Sequence, residues 1–320
     1  MELFYNDYAT FLKHYYEEPV YKIPVNLAGG SCPNRDGRLS TGGCSFCDES
    51  GAGFQALPDD LSIPEQIAEN KAFYARRFKC KHFIVYLQTF SNTYMPLSRF
   101  KRVIEAATAD PAIIGLSVST RPDLVHPAYL EALAELRERR GGLDIDIELG
   151  LQTVNYRTLQ AVNRGHTLAA FVDAVPRIRA YDFSTCAHVI LNLPGDDALD
   201  ARETARMLSA LHVDMVKLHS LYIVGGTRLA RQYVLGEFDM ISLDEYVNRV
   251  VDFLELLDPK IVIQRLVGKG PQENLIFCNW ETSWWKIKDA INAEFERRGT
   301  YQGARFDYLG GALIDDLAAE

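Results

Sequence analysis

Residues 29–50 read GGSCPNRDGRLSTGGCSFCDES and follow directly on the apolar run YKIPVNL at 21–27. The loop holds Cys32, Cys44 and Cys47, spaced C-x11-C-x2-C, and its position just after a strand puts soft thiolates at the carboxyl end of a sheet. Thiolates suit zinc or an iron-sulfur cluster. A closed structural zinc site wants four ligands, and this loop lacks a second C-x-x-C pair; a cubane held by three cysteines leaves one iron open for an exogenous ligand. The spacing favours iron-sulfur over structural zinc or unmetallated thiols.

Outward from the loop, short β-branched runs alternate with helical patterns. Strands are predicted at 21–27, 82–88, 114–120, 143–152, 187–193 and 213–223, and helices with three- and four-residue apolar spacing at 63–78, 98–108, 128–140, 168–181 and 198–211. This cadence implies parallel βαβ units with right-handed crossovers. Six units are too few for a closed eight-stranded barrel, so an α/β partial (β/α)6 barrel or an open sheet is expected, with ligands at the carboxyl ends of the strands. The division expected is a core barrel over 1–225, with the cluster loop at 29–50, and a C-terminal extension over 226–320 covering the barrel mouth and contributing to substrate binding. Within the extension, a helix is expected at 243–256, a strand from 261 and a Trp-rich helix at 283–298.

The chain has 320 residues, with 34 Lys+Arg against 43 Asp+Glu for a net charge of −9. That balance excludes a wholesale nucleic-acid coat protein and leaves room for a local basic groove. The N-terminus lacks the basic and apolar regions of a secretory signal, and no apolar run approaches the roughly 18 residues of a membrane span. A cytoplasmic location is expected, where cysteines are thiols or metal ligands rather than disulfides. Cys80, Cys186 and Cys278 read as buried small hydrophobes, with Cys278 also a candidate substrate-side thiol.

Together the cluster loop, Phe46 between its last two cysteines, CPNRDG at 32–37, ELGLQT at 148–153, VNRGHT at 162–167 and VKLHSLYIVGGT at 216–227 resemble the radical S-adenosylmethionine (radical SAM) superfamily. More narrowly they resemble the branch that includes the catalytic subunit of Elongator, to which the wide first cysteine spacing is also typical. A stand-alone bacterial family of about this length is similar through the C-terminal WWKIKDAINAEFERRGTYQG. Acetyltransferase sequence of the Elongator type is not expected after the barrel. The resemblance implies a TIM-barrel-like radical SAM fold, a 4Fe-4S cluster on Cys32, Cys44 and Cys47, and S-adenosylmethionine bound at the open iron. Reductive cleavage would then give a 5′-deoxyadenosyl radical that abstracts a hydrogen from substrate.

Cofactor contacts are expected from Phe46, Gln88, Thr89, Ser119, Arg121, Glu148, Gln152, Arg164 and Asn192. Gln88 and Thr89 end the second strand, where the superfamily contacts the methionyl amino group; the competing reading is strand-end capping. Arg121 offers a planar donor fork for a carboxylate at the end of the third strand, beside Ser119. Glu148 and Gln152 share parity with Asp144 and Asp146, and so many acids inside a barrel are costly unless paired. The matching family positions contact the ribose and methionine portions of the cofactor. Arg164 reads as a cation for a carboxylate or as a helix-terminal charge, and His166 as a capping or packing residue. Asn192, in LNLPGD, departs from the glycine-richer family pattern around the adenine. Lys217, His219 and Tyr222 either face substrate or meet helices.

Basic residues collect in ARRFKCKH at 75–82, and near Lys286 and Arg297 beside Trp280, Trp284 and Trp285. Cations interleaved with aromatics bind phosphate and stack bases, although interspersed acids equally describe a solvated helix face. The resemblance implies tRNA wobble-uridine modification, with conversion of 5-carboxymethylaminomethyluridine to 5-aminomethyluridine as a specific candidate. Its implied partners are tRNA and an electron donor such as flavodoxin or ferredoxin, with no membrane. The alternatives are a radical SAM enzyme acting on a metabolite or protein side chain, and a non-catalytic zinc-stabilised RNA-binding protein.

Overall fold

A computed structural model describes residues 4–48, 51, 56–271 and 273–314. Positions 49 and 50 of the cluster loop and the outer ends of the two expected divisions lie outside the described residues. The order is α1 (Tyr8–Tyr16), β1 (Val20–Val25), α2 (Ile63–Phe78), β2 (His82–Leu87), α3 (Leu97–Thr108), β3 (Ile113–Thr120), α4 (Pro127–Arg139), β4 (Asp144–Gln152), α5 (Tyr156–Ala161), α6 (Leu168–Arg179), β5 (Ser184–Ile190), α7 (Ala198–Ala210) and β6 (Met215–His219). Then follow β7 (Ile223–Val224), α8 (Arg228–Val234), α9 (Leu243–Leu256), β8 (Val262–Arg265), β9 (Leu275–Phe277) and α10 (Trp284–Arg298).

Local chemistry sets the helix ends. A capping box of Ser62 and Glu65 opens α2, and Asp197 with Asp200 does the same for α7, satisfying backbone N–H groups that the first turn leaves orphaned. The inner strands β2 to β5 are almost wholly buried because helices cover one face and the concave interior the other. All six predicted strands form, in the parallel order β1-β2-β3-β4-β5-β6.

The segment expected as an extension adds a seventh strand. β8 lies parallel to β6, pairing Met215 with Val262 and Lys217 with Arg265. The sheet curls far enough for Lys22 on edge strand β1 to reach Glu148 on β4, 2.8 Å away across the concave face. β1 and β8 do not pair with each other. The N-terminal segment fills part of the gap, with the Ile263 N–H donating to the Asn6 carbonyl at 2.8 Å.

Leu149 is fully buried in the main core cluster, whereas Leu235 is 74% exposed just past α8. Leu149→Ala should lower unfolding free energy by about 2–5 kcal/mol through lost burial and a residual cavity. Leu235→Ala should change it by less than about 0.5 kcal/mol, with urea unfolding as the measurement.

Candidate functional site

Strand ends and the cysteine loop enclose one cavity at the carboxyl edge of the sheet. Its lining includes Cys32, Cys44 and Cys47, together with Phe46, Gln88, Ser119, Arg121, Gln152 and Arg164. Thus six of the nine expected cofactor contacts face the same space as the three thiols. Thr89, Glu148 and Asn192 do not line it among the described residues. Thr89 is buried with its hydroxyl unpartnered, and Asn192 Oδ1 accepts the Leu221 N–H at 2.7 Å.

The loop is held by the 162–166 segment. The Ser45 N–H donates to the Val162 carbonyl at 2.9 Å, and Asn163 Nδ2 donates to the Gly43 carbonyl at 2.8 Å. Gly165 has φ +75°, and a Cβ there would run into the Asn34 amide. Asn34 Nδ2 and Arg164 Nη1 both approach Cys44 Sγ, at 3.7 and 3.6 Å, and Arg35 Nη1 lies 3.7 Å from Cys47 Sγ. Arg164 crosses β4 to donate from Nη2 to the Gly150 carbonyl at 2.8 Å, a path that any side chain on Gly150 would block. Arg121 donates to the Arg164 carbonyl at 2.8 Å while gripping Asp123 with two 2.9 Å bonds. His166 packs into this scaffold, Nε2 lying 2.9 Å from the Gly150 carbonyl.

This donor set fits a cubane better than a zinc ion. Four sulfurs around one zinc at about 2.3 Å would sit roughly 3.8 Å apart. Among the described residues, the trio of potential ligand atoms within 4.8 Å of one another is Glu148, Cys186 and His188, not the three loop cysteines. Burial, then the neighbouring Cys44, pushes the Cys47 thiol up to about 12, with Arg35 opposing. Three thiols that face one cavity without lying within 4.8 Å of one another suit a centre of several irons rather than a single ion. The Glu148 trio does not suit a cation, because two ammonium groups already occupy the same carboxylate.

Those ammonium groups belong to Lys22 and Lys217, 2.8 and 2.5 Å from Glu148, and His188 Nε2 lies 2.6 Å from it. The acids of β4 are therefore paired one by one. Tyr16 donates to Asp144 at 2.6 Å, and Ser117 donates to Asp146 at 2.6 Å. Burial alone would push the Glu148 carboxyl up, yet Lys217, then Lys22, and the His188 hydrogen bond hold it well below its usual value. His188 is lowered to about 4, by burial first and by Lys217 second, and so stays neutral. Sequence reasoning missed Lys22, Tyr86 and Arg265. Tyr86 lies under both ammonium groups, 4.3 Å from Lys217 and 5.4 Å from Lys22. No local pattern marks such residues, since their partners arrive from other strands. Cys80 and Cys186 are buried and Cys278 is half-buried, all as free thiols. Among the described residues no helix is long and apolar enough to cross a membrane.

A curled parallel sheet with a three-cysteine loop over its carboxyl edge defines a cluster-type radical enzyme architecture. The chain belongs to the radical SAM superfamily, whose model matches residues 37–208, followed by the Radical_SAM C-terminal domain at 213–297. It is a radical SAM enzyme, and membership implies a 4Fe-4S cluster and S-adenosylmethionine. YtqA of Bacillus subtilis, a protein without an assigned role, is 35% identical over 307 residues, spanning 95% of this chain and 94% of that one. A tRNA uridine(34) acetyltransferase of Methanocaldococcus jannaschii is 24% identical over 158 residues, or 48% of this chain and 28% of that one. The structure of Methanocaldococcus infernus Elp3 superposes with a TM-score of 0.65 at 14% identity, covering 89% of this chain and 64% of that chain, so the chain spans less than two thirds of its length.

Because the Glu148 carboxyl is held below its ordinary 4.5, its ionisation stabilises the fold above that pH, and this contribution is lost as pH falls through the folded value. Glu148→Gln should therefore cost roughly 3–5 kcal/mol at neutral pH, the penalty for stranding buried cations. The gap from the parent protein should narrow below pH 4.5 in urea unfolding followed across pH.

Proposed function

We propose that Cys32, Cys44 and Cys47 hold the 4Fe-4S cluster and that the enzyme modifies a wobble uridine in tRNA. The observation that carries the first half is the single cavity uniting three loop thiols with Arg35 of the loop itself, Arg121 at the end of β3 and Arg164 of the segment after α5. A 4Fe-4S cluster held by these three cysteines would supply the chemistry of the superfamily, reductive cleavage of S-adenosylmethionine to make a radical that abstracts hydrogen from substrate. Arg164 and Asn34 donate toward the Cys44 sulfur and fix its position beside the cavity. An adjoining recess lined by Phe46, Ile190, Leu221 and Tyr222 suits a flat base such as adenine, and Gln88, Ser119 and Gln152 offer polar atoms to the rest of the cofactor.

The tRNA half is supported by a second cleft between the two edge strands of the sheet. Tyr21, Tyr74, Lys22, Arg265 and Lys269 are among its lining. Stacked Tyr21 and Phe78, 4.7 Å apart with Arg77 over Phe78, flank one side. Lys269 over Trp284 at 4.8 Å flanks the other. Exposed aromatics beside cations are the surface that grips unstacked nucleotides. The tRNA uridine(34) acetyltransferase relative adds support for a uridine at the wobble position. The reaction we infer removes the carboxymethyl part of 5-carboxymethylaminomethyluridine as glyoxylate and leaves 5-aminomethyluridine: S-adenosylmethionine would be the net two-electron oxidant, ending as methionine and 5′-deoxyadenosine, water would hydrolyse the resulting imine, and a flavodoxin or ferredoxin would reduce the cluster.

Mass spectrometry of nucleosides from total tRNA of the native host tests this reading. Deletion of the gene should accumulate 5-carboxymethylaminomethyluridine, and the parent protein but not Cys47→Ala should reverse it. An unchanged profile in a host without a redundant enzyme would sink the tRNA assignment. Separately, anaerobically reconstituted Cys44→Ala should lose labile sulfide and form no 5′-deoxyadenosine; cleavage at parental rate would remove Cys44 from the ligand set.

A further inference from the structure

The cysteine loop has an outer side as well as the side that faces the cavity, and three segments are bonded together there. The Ser45 N–H donates to the Val162 carbonyl at 2.9 Å, and the Leu229 N–H in the first turn of α8 donates to the Ser45 carbonyl at 2.8 Å. Arg228 donates to the Ala161 carbonyl at the end of α5, and Asn163 Nδ2 donates to Ser40 Oγ at 2.8 Å. Ser45 follows Cys44 directly, so α5 and α8 are anchored on the residue next to a cluster cysteine.

These segments carry an excess of one charge in a chain whose net charge is −9. Residues 153–167 and 224–236 contain no Asp or Glu, and 28–48 contain two, Asp36 and Asp48. Asp36 accepts from the Tyr94 hydroxyl at 2.9 Å. Arg38, Arg157, Arg228 and Arg231 are all exposed, and none of the four is ion-paired with a carboxylate among the described residues. Arg228, Arg231 and Leu235 recur at three- and four-residue spacing along α8, with Leu229 and Ala230 buried behind them. On α5, Tyr156 and Arg157 face out while Thr158 and Leu159 are buried. Val234 and Leu235, at 72% and 74% exposure, are the large apolar side chains most open to solvent among the described residues. Arginines interleaved with exposed apolar groups on a fixed backbone make a surface composed like a protein interface rather than a solvated face.

We propose that this outer face of the cysteine loop is the docking surface for an acidic one-electron carrier protein, its carboxylates meeting Arg38, Arg157, Arg228 and Arg231 and its apolar contact seated on Val234 and Leu235. The inference rests on the assignment of Cys32, Cys44 and Cys47 to a cluster and deepens it by naming where the electron enters. One electron leaves the reduced carrier and enters the cluster, and the carrier ends oxidised by one electron. The inner side of the three cysteines faces the cavity assigned to cofactor, so a carrier approaching from the outer side leaves that cavity free. Guanidinium groups match the two oxygens of a carboxylate. An overall acidic chain repels an acidic partner over most of its surface, and a cationic face then turns that partner into one orientation. Valine and leucine offer no ring for a base to stack on, which favours a protein over RNA here.

The test uses reconstituted holoenzyme and a flavodoxin of strongly negative net charge, reduced before mixing. Stopped-flow bleaching of the cluster absorbance gives the second-order rate of electron delivery, and isothermal titration gives the affinity of the carrier. Arg157→Glu combined with Arg231→Glu should lower both by about 10-fold or more at low salt, and added salt should slow the parent far more than this variant. Leu235→Ala should lower the affinity by about 3-fold or more. Dithionite, a small reductant that needs no docking, should bleach both variants at the parental rate. An unchanged carrier rate and affinity in the double variant would overturn the proposal, as would a parent reduced by dithionite but by neither the flavodoxin nor an acidic ferredoxin. Should the double variant lose the dithionite reaction as well, Leu235→Ala decides, and parental affinity there would overturn the proposal. An anticodon stem-loop that displaces the flavodoxin from the parent and itself binds the double variant more weakly would assign the face to RNA instead. Protein that assembles no cluster would remove the cluster reading and this role with it, whereas an unchanged nucleoside profile on gene deletion would discard tRNA and leave the docking face standing.

Discussion

The carboxylate of Glu148 is the point on which the interior depends. It is completely buried, and it receives Lys22 from β1, His188 from β5 and Lys217 from β6. A sheet that curls without closing has no backbone ladder between its edge strands, so something other than hydrogen-bond pairing must hold β1 against the β6 and β8 side of the sheet. Here a central charge does so from inside, with α1 and the Asn6 to Ile263 bond bracing the outside. Buried ion pairs cost desolvation energy that their attraction only partly offsets. An apolar interior of similar volume would be at least as stable, but it would leave no polar surface on which a charged cofactor and substrate could rest.

Much of this was legible in the sequence. The helices at 63–78 and 243–256 appear with the expected bounds because their apolar spacing and caps are local signals. The predicted strands are legible as β-branched runs between glycine and proline breaks, and Cys32, Cys44 and Cys47 stand out because the loop spacing is itself the signal. Helix α1 was passed over although Tyr8, Phe11, Leu12, Tyr15 and Tyr16 recur at three- and four-residue spacing behind the Asp7 cap; its place between the edge strands β1 and β8 is set by the fold. The role of β8 as seventh strand was hidden as well, because a four-residue strand acquires its partner only through the fold.

Glu148 shows the same division at a single residue. Its parity correctly put it on the inner face with Asp144 and Asp146, and the cost of burying acids correctly required partners. Which partners it has depends on Lys22, 126 residues away, and Lys217, 69 residues away, and no window of sequence contains either. The motif ELGLQT thus combines two physical demands: a charge that ties strands together at Glu148, and a bare backbone at Gly150 over which Arg164 reaches Cys44. VNRGHT meets it from the other side, with Gly165 leaving room for Asn34.

An acidic protein with a cationic interior also has a consequence for what it admits. Charges on the outer surface are screened by salt within about 10 Å at ordinary ionic strength, whereas cations lining a cleft between low-dielectric walls act on a ligand with far less screening. The outer acids therefore weaken diffuse attachment to polyanions, and the cleft concentrates attraction at one mouth. The aromatic groups at Tyr21, Phe78 and Trp284 add surface beside these cations whose attraction for a flat ring does not depend on charge and so is not screened by salt.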